Sequence, residues 1–291
     1  MLNLNYVSAQ GSAIQLTGNG MFILTNIDAQ TAAATSISSN TVGGMDGETV
    51  TNIQAAPRTI VLDLRLNPRQ DVEVVKRYIL KFFKLKQHGS LVWTQSDRTV
   101  TISGYVEQIT MPRWNNAITM QISLHCEQPF WEDVDFIIQR INEYVDIHYF
   151  TDDPFDMLYF PDDGIVLGEY DTIRTKAFDN EGDVAVGLKI TVNALNVVTN
   201  PIIYDADGDF FGIGYGTAGK QITMNTGDII EITTGKGQKS VTLNGKNIID
   251  KVKPGSTWLQ LQPGQNQFTI NSDDEDIENM YFNLTYKRRY V

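Results

Sequence analysis

The sequence contains a single cysteine, Cys126, and only three histidines in 291 residues. One cysteine cannot form a disulfide within the chain, which is compatible with synthesis in a reducing compartment. The histidines are scattered along the sequence, whereas a metal site in a protein needs several ligands brought together. We therefore expect no disulfide, no metal site and no other cofactor.

Lysine and arginine are also in short supply, since 23 of them stand against 35 aspartates and glutamates and leave a net charge of −12. Contacts to phosphates need basic residues, so this balance argues against nucleic acid as a bound partner. No apolar run reaches the roughly 18 residues that span a bilayer, and residues 1–6 lack the basic start of a signal peptide. We expect a soluble protein made in the cytoplasm.

Large apolar side chains are few in residues 28–56, where Ala, Thr, Ser and Gly dominate. Long segments of this kind are usually functional or disordered, so we expect a long loop or an irregular arm. Beyond it the pattern becomes regular. Apolar and polar residues alternate over 59–66 and again over 118–126, which predicts half-buried strands.

One helix is predicted in the first half, because apolar residues recur at helical spacing over 69–87. Asn67 fits the N-cap, acidic residues come early, basic residues come late, and Gly89 fits the stop. Residues 1–135 therefore predict a β domain covered by one helix. We place the domain boundary near residue 135.

Residues 136–291 predict a second domain that consists only of strands. Apolar and polar residues alternate over 184–192, and about eight short strands occur at close spacing. Asn244-Gly245 favours a tight hairpin turn, because both residues tolerate positive φ. Short strands separated by turns are typical of a β-sandwich or a jelly roll. The predicted fold class is mainly β throughout.

The residues that resemble catalytic groups have simpler interpretations. His125 and Cys126 are adjacent, and adjacent side chains of a strand point to opposite faces, so they cannot form a dyad. Acidic residues at 152–163 and 273–276 lie near turns, where carboxylates are usually solvated, whereas a glycosidase needs a pair across a cleft. We expect a protein that is not an enzyme, with a cell-wall hydrolase as the alternative.

Two segments resemble ligand-binding motifs. Gly214–Gly219 matches the letters of the dinucleotide fingerprint, but that motif needs a helix after it and residues 220–224 predict a strand. Asp205, Asp207 and Asp209 resemble the start of a calcium loop, but the glycine falls at the fourth position of the loop and not at the sixth. We interpret both segments as turns.

Aromatic side chains near turns of the second half leave carbohydrate binding open. They either close the ends of the core or are exposed and stack on sugar rings. The candidate contact residues are Tyr204, Phe210, Tyr215 and Trp258, with Phe211 beside them.

Several short segments follow one another in a recognisable order along nearly the whole chain. They are Gly43–Gly47, Ala56–Ile60, the helix ending in Phe82-Phe83, Gly104–Val106, Leu124–Trp131, Phe178–Asp183, Asn200–Ile203, Leu243–Gly245 and Ser256–Trp258 with Leu261–Asn266. No single segment is decisive. Their order and spacing resemble the distal tail protein family of siphophages.

This resemblance implies a structural protein at the tip of the virion tail. In the family, the N-terminal domain assembles as a six-membered ring at the end of the tail tube, and a galectin-like C-terminal β-sandwich lies outside the ring. The implied partners are further copies of the chain, the major tail tube protein, the tail-tip hub protein and a receptor-binding protein. DNA would pass through the ring without being bound. The alternative function is a carbohydrate-binding tail protein that contacts the host cell surface.

A ring that closes head to tail joins two different surfaces of neighbouring subunits. We predict that the arm supplies one of these surfaces. Its contact residues would be Met45, Asp46, Gly47, Pro57 and Arg58. The acidity of the chain suggests a further hypothesis, that negative groups facing the channel keep DNA from sticking as it passes.

Overall fold

The computed structural model describes residues 3–28, 33–41, 43–44, 46–95, 98–111, 118–142, 144–146, 168–170, 174–275 and 277–291, with the backbone alone for 144–146 and 168–170. The chain divides into two compact units, residues 1–134 with 289–291 and residues 135–288. The described residues are mainly β, which confirms the predicted fold class. They contain no helix long and apolar enough to cross a membrane.

The described residues of the first unit contain one α-helix, α1 (Val72–Phe82), and most of them lie in strands. These are β1 (Asn3–Ser8), β2 (Ala13–Gln15), β3 (Phe22–Ile27), β4 (Thr35–Asn40), β5 (Thr49–Ala55), β6 (Arg58–Leu66), β7 (His88–Gln95), β8 (Arg98–Thr110), β9 (Thr119–Cys126) and β10 (Trp131–Asp133). The strands from Asp135 onward are β11 (Ile137–Ile141), β12 (Tyr144–Asp146), β13 (Gly168–Tyr170), β14 (Thr175–Asn180), β15 (Val186–Gly187), β16 (Lys189–Ala194), β17 (Val198–Thr199), β18 (Ile202–Asp205), β19 (Phe210–Gly212), β20 (Thr223–Met224), β21 (Ile229–Thr233), β22 (Ser240–Leu243), β23 (Lys246–Asn247), β24 (Gln260–Leu261), β25 (Gly264–Asn271), β26 (Met280–Tyr286) and β27 (Arg289–Tyr290).

The main sheet of the first unit runs in the order β2-β1-β7-β8-β9-β6-β3. Each strand buries one face, as β6 does with Ile60, Leu62 and Leu64 while Thr59 and Arg65 stay exposed. β6 pairs with β9 along its whole length, so the buried residues of both strands share one face. The alternation predicted over 59–66 and 118–126 is confirmed.

Helix α1 is shorter than the predicted 69–87 and begins later. Asp71 is the N-cap, because its side chain accepts a hydrogen bond from the backbone N–H of Glu73 at 2.9 Å. Asn67 instead closes the turn before the helix by accepting from the backbone N–H of Arg69 at 3.0 Å. The helix packs on the sheet through Val75.

The helix also ends earlier than predicted. Phe83 leaves helical geometry and enters the core, where its ring stacks on Tyr6 with the ring centroids 4.0 Å apart. Gly89, the predicted stop, already lies in β7. A Cβ on residue 89 would lie 2.7 Å from Cε2 of Tyr6, so glycine is needed there for space and not to end a helix.

Strands β4 and β5 form a β-hairpin where the sequence predicts a loop or an irregular arm. β4 and β5 pair antiparallel, with a register shift between Ser38 and Ser39. Nearly every residue of the two strands is exposed. With both faces in water there is no apolar alternation, and the sequence therefore carries no strand signal here.

The C-terminal end of the chain belongs to the first unit. β27 pairs with β10, which also pairs with β8. The buried Tyr290 donates its hydroxyl hydrogen to Asp133 Oδ1 at 3.0 Å, and Arg289 forms an ion pair with Glu132 at 2.7 Å. The sequence predicts a second domain over 136–291 that includes these residues, because pairing between such distant segments leaves no local signal.

The second unit is a β-sandwich. One sheet has the order β11-β26-β16-β21-β22-β23 and the other β14-β25-β18-β19. Ile190 and Phe282 of the first sheet and Ile203 and Phe268 of the second belong to one buried cluster. The Asn244-Gly245 turn joins β22 to β23, with positive φ at both residues, which confirms that hairpin.

We predict that Gly89→Ala lowers the free energy of unfolding by about 1–3 kcal/mol, because the added methyl group must displace the buried Tyr6 ring. Urea unfolding followed by circular dichroism measures this change. Gly20→Ala is the control, since a Cβ there meets nothing within 4 Å, and it should change stability by less than about 0.5 kcal/mol. Equal stability of the two variants would contradict the proposed packing.

Candidate functional site

The β4–β5 hairpin is the surface of the first unit that most resembles a contact site. Ile37 and Ile53 face each other across the two strands, with 58% and 65% of their surfaces exposed. An isolated two-stranded hairpin is at best marginally stable in water, because it buries little apolar surface. Two large apolar side chains held side by side in water are typical of a surface that another chain covers.

The predicted arm residues occupy two different environments. Asp46 and Gly47 lie exposed in the turn between β4 and β5, and Pro57 is exposed after β5. Met45 lies outside the described residues. Arg58 is 8% exposed, and its Nη1 donates to the backbone carbonyl oxygen of Pro129 at 3.1 Å. The structure therefore brings Asp46 and Gly47 together at the surface and places Arg58 inside the unit.

Cys126 faces the core beside Arg58, its register partner on β6. Its side chain is fully buried, and burial raises the pKa of the thiol to about 11 while the Arg58 guanidinium opposes that shift. Burial also lowers the pKa of Arg58. His125 lies on the opposite, partly exposed face of β9. The thiol has the environment of a packing residue and not of a nucleophile.

The aromatic residues proposed for sugar contacts do not form one platform. Tyr204 and Phe210 are cross-strand partners on β18 and β19, with ring centroids 5.9 Å apart. Trp258 instead packs on Phe211, at 4.8 Å, where Phe211 is buried in the core. Tyr215 is half-buried in the glycine-rich turn. Phe210 and Phe211 are adjacent on β19 and point to opposite faces, so Trp258 packs on the face of β19 opposite to Phe210.

The two segments that resemble ligand-binding motifs are turns. Gly214 has φ of +82°, and a Cβ there would collide with the side chain of Asn200. The Asp205 carboxylate accepts backbone N–H bonds from Asp207 at 3.0 Å and Asp209 at 2.9 Å, which closes its own loop. Among the described residues there is no group of three His, Cys, Asp or Glu arranged to hold a metal ion.

The acidic segments are only partly described. Residues 152–163 and Asp276 lie outside the described residues. Asp273, Asp274 and Glu275 are exposed on the turn that follows β25. The Asp273 carboxylate accepts a hydrogen bond from Asn200 Nδ2 at 2.6 Å, which ties this turn to the start of β18.

Charge is divided unequally between the two units. Residues 1–134 and 289–291 contain eleven acidic and eleven basic residues, so the first unit has no net formal charge. The whole net charge of −12 therefore falls within residues 135–288.

Comparison with known proteins yields two family models that together span most of the chain. Residues 9–126 match a phage tail protein domain described as RIFT-related. Residues 181–290 match the C-terminal domain of the siphovirus-type tail component. Comparison with curated protein sequences finds no match.

Solved structures show a related fold. The crystal structure of the Dit protein of phage SPP1, described as a paradigm of the hub adsorption apparatus in phages that infect Gram-positive hosts, is 13% identical, with both chains covered over 100% of their length and a TM-score of 0.66. A chain of the phage P2 baseplate, in its activated conformation with calcium, is 12% identical over 99% of this chain and 98% of that chain, with a TM-score of 0.44. At 13% identity and a TM-score of 0.66, the similarity to the SPP1 protein shows a shared fold.

We predict that Cys126 reacts with a thiol reagent such as DTNB at pH 8 at least about a hundredfold more slowly in the folded chain than in urea, because the folded thiol is buried and its pKa is raised. Similar reaction rates in the folded and unfolded chain would contradict the assigned burial.

The raised pKa also links stability to pH. Because the pKa of the Cys126 thiol is higher in the folded chain than in the unfolded chain, the stability linked to this thiol is complete below about pH 9 and is lost as the pH rises towards 11.

Proposed function

Because the chain belongs to the siphophage distal tail protein family, whose members are structural components of the phage tail, we propose that its copies close into a six-membered ring at the distal end of the tail. The ring would join the tail tube to the tail-tip hub. Its subunits would be made in the host cytoplasm and act in the virion.

The exposed β4–β5 hairpin is the observation that carries the ring proposal. A head-to-tail ring needs a surface on each subunit that fits a different surface of its neighbour. The hairpin pairs with no other described strand of its unit and exposes the Ile37–Ile53 pair. Contact with a neighbouring copy would cover this pair and supply the packing that an isolated hairpin lacks.

The first unit would form the ring, and its channel would be lined mainly by uncharged groups. The exposed face of the main sheet presents mostly hydroxyl and amide side chains, including Thr101, Ser103, Gln121 and Ser123. Such groups neither attract nor strongly repel phosphates, so DNA could pass without being held. The hypothesis of an acidic lining gains no support, because this unit has no net charge.

The second unit would lie outside the ring as a galectin-like β-sandwich and face the partners of the tail tip. The main partners would be the tail tube protein, the hub protein and a receptor-binding protein. No catalytic role is proposed, since Cys126 is buried and the Asp205 loop is closed by its own hydrogen bonds.

The first test is the mass of the full-length chain in solution. A ring of six has six times the subunit mass of 32.7 kDa, which is roughly 200 kDa and measurable by light scattering. A constant mass near that of one subunit at every concentration would contradict the ring.

The second test removes the apolar contact of the hairpin. We predict that Ile37→Thr combined with Ile53→Thr raises the concentration for half-maximal assembly at least about tenfold, because the contact with the neighbouring copy loses two apolar groups. Threonine keeps the β-branched shape that favours a strand. Analytical ultracentrifugation measures the assembled fraction.

The matched control is Val197→Thr combined with Ile229→Thr, which changes two exposed apolar residues of the second unit. We expect its assembly to equal that of the unchanged chain. Equal losses in both double variants would show that the hairpin has no special part in assembly. Arg58→Ala does not suit this purpose, because Arg58 is buried and its loss would disturb the first unit itself.

A further inference from the structure

The outer face of one sheet of the second unit carries a continuous row of hydroxyl and aromatic side chains. The row crosses four strands through direct register partners, which are Thr175 on β14, Thr269 on β25, Tyr204 on β18 and Phe210 on β19. Phe268, which precedes Thr269 in β25, is buried in the core. Because neighbouring residues of a strand point to opposite faces, the row lies on the side turned away from the core.

The two halves of this row differ in chemistry. The rings of Tyr204 and Phe210 are partly exposed, with their centroids 5.9 Å apart and their planes tilted by 48°. The hydroxyl oxygens of Thr175 and Thr269 are 2.8 Å apart and share one hydrogen bond. Two hydroxyl groups that share one hydrogen bond keep one hydrogen and several lone pairs for a ligand. The row therefore places an apolar aromatic surface directly beside polar groups.

The composition of this face suits a small neutral ligand better than a protein partner. The centre of a protein interface is mostly apolar, yet the one large aliphatic side chain among the described residues of this face, Ile202, is only 6% exposed. Charged groups lie at the two borders and not in the row. Lys253 has its ammonium nitrogen 5.7 Å from the centroid of the Phe210 ring, and Asp179 is exposed on β14.

A sugar ring matches both kinds of surface. One face of a pyranose presents C–H groups that pack against aromatic rings, and its rim presents hydroxyl groups that donate and accept hydrogen bonds. Gln267 is exposed on the same face of β25, two residues before Thr269, and its amide also donates and accepts.

We propose that this outer face of the β14-β25-β18-β19 sheet is a carbohydrate-binding site. The rings of Tyr204 and Phe210 stack on a neutral sugar, and Thr269 and Gln267 bind its hydroxyl groups. This inference does not depend on the proposed ring, since every residue of the site belongs to one unit of one chain.

The first experiment asks whether the full-length chain binds sugars. Saturation-transfer NMR detects weak ligands, and the probes are the methyl glycosides of glucose, galactose, mannose, rhamnose and N-acetylglucosamine at millimolar concentration. At least one of these neutral sugars should receive saturation from the protein. The absence of a signal from all of them would overturn the proposal.

The second experiment removes the aromatic surface. Tyr204→Thr combined with Phe210→Thr should raise the dissociation constant of the responding sugar at least about tenfold, because the stacking surface is lost while β-branched threonine suits both strands. The matched control is Tyr281→Thr, which removes a partly exposed tyrosine from the outer face of the other sheet of the sandwich. This control should bind the sugar like the unchanged chain.

Gln267→Ala tests the polar half of the site without touching a packed side chain. It should raise the dissociation constant at least about threefold, because the amide hydrogen bonds are lost. Circular dichroism and analytical ultracentrifugation of all three variants should match the unchanged chain, so sugar binding and assembly are measured separately. Unchanged affinity in the double variant, or an equal loss in Tyr281→Thr, would overturn the proposal.

Discussion

The ring of Tyr6 lies between the ring of Phe83 and the backbone of Gly89, and this stack fixes helix α1 against the main sheet. The space for Tyr6 exists only because residue 89 has no Cβ. Phe83 must leave the helix to reach Tyr6, so the stack also sets where the helix ends. With the helix held in this way, its opposite side, with Val74, is directed to solvent.

The two units meet different physical demands. Each has its own apolar core, so neither needs the other to bury its large side chains. The first unit has no net formal charge and exposes the two isoleucines of its hairpin. The second unit carries the whole net charge.

Local patterns allowed the fold class, the strands at 59–66 and 118–126, and the presence of one helix to be predicted from the sequence. The β4–β5 hairpin was missed because both of its faces are exposed and carry no alternation. Arg289 and Tyr290 belong to the first unit because they pair with Glu132 and Trp131, and pairing between such distant residues could not be predicted from local patterns. The sequence predicted Arg58 at the contact surface of the arm, whereas the structure buries it. Whether a single arginine is buried cannot be deduced from its neighbours in the sequence.

Electron microscopy of the purified full-length chain tests the central claim most directly. Negative-stain class averages should show rings with six-fold symmetry and an open centre, because subunits that meet head to tail around an axis leave a channel along it. Compact single particles of two lobes, with no ring at any protein concentration, would contradict the account.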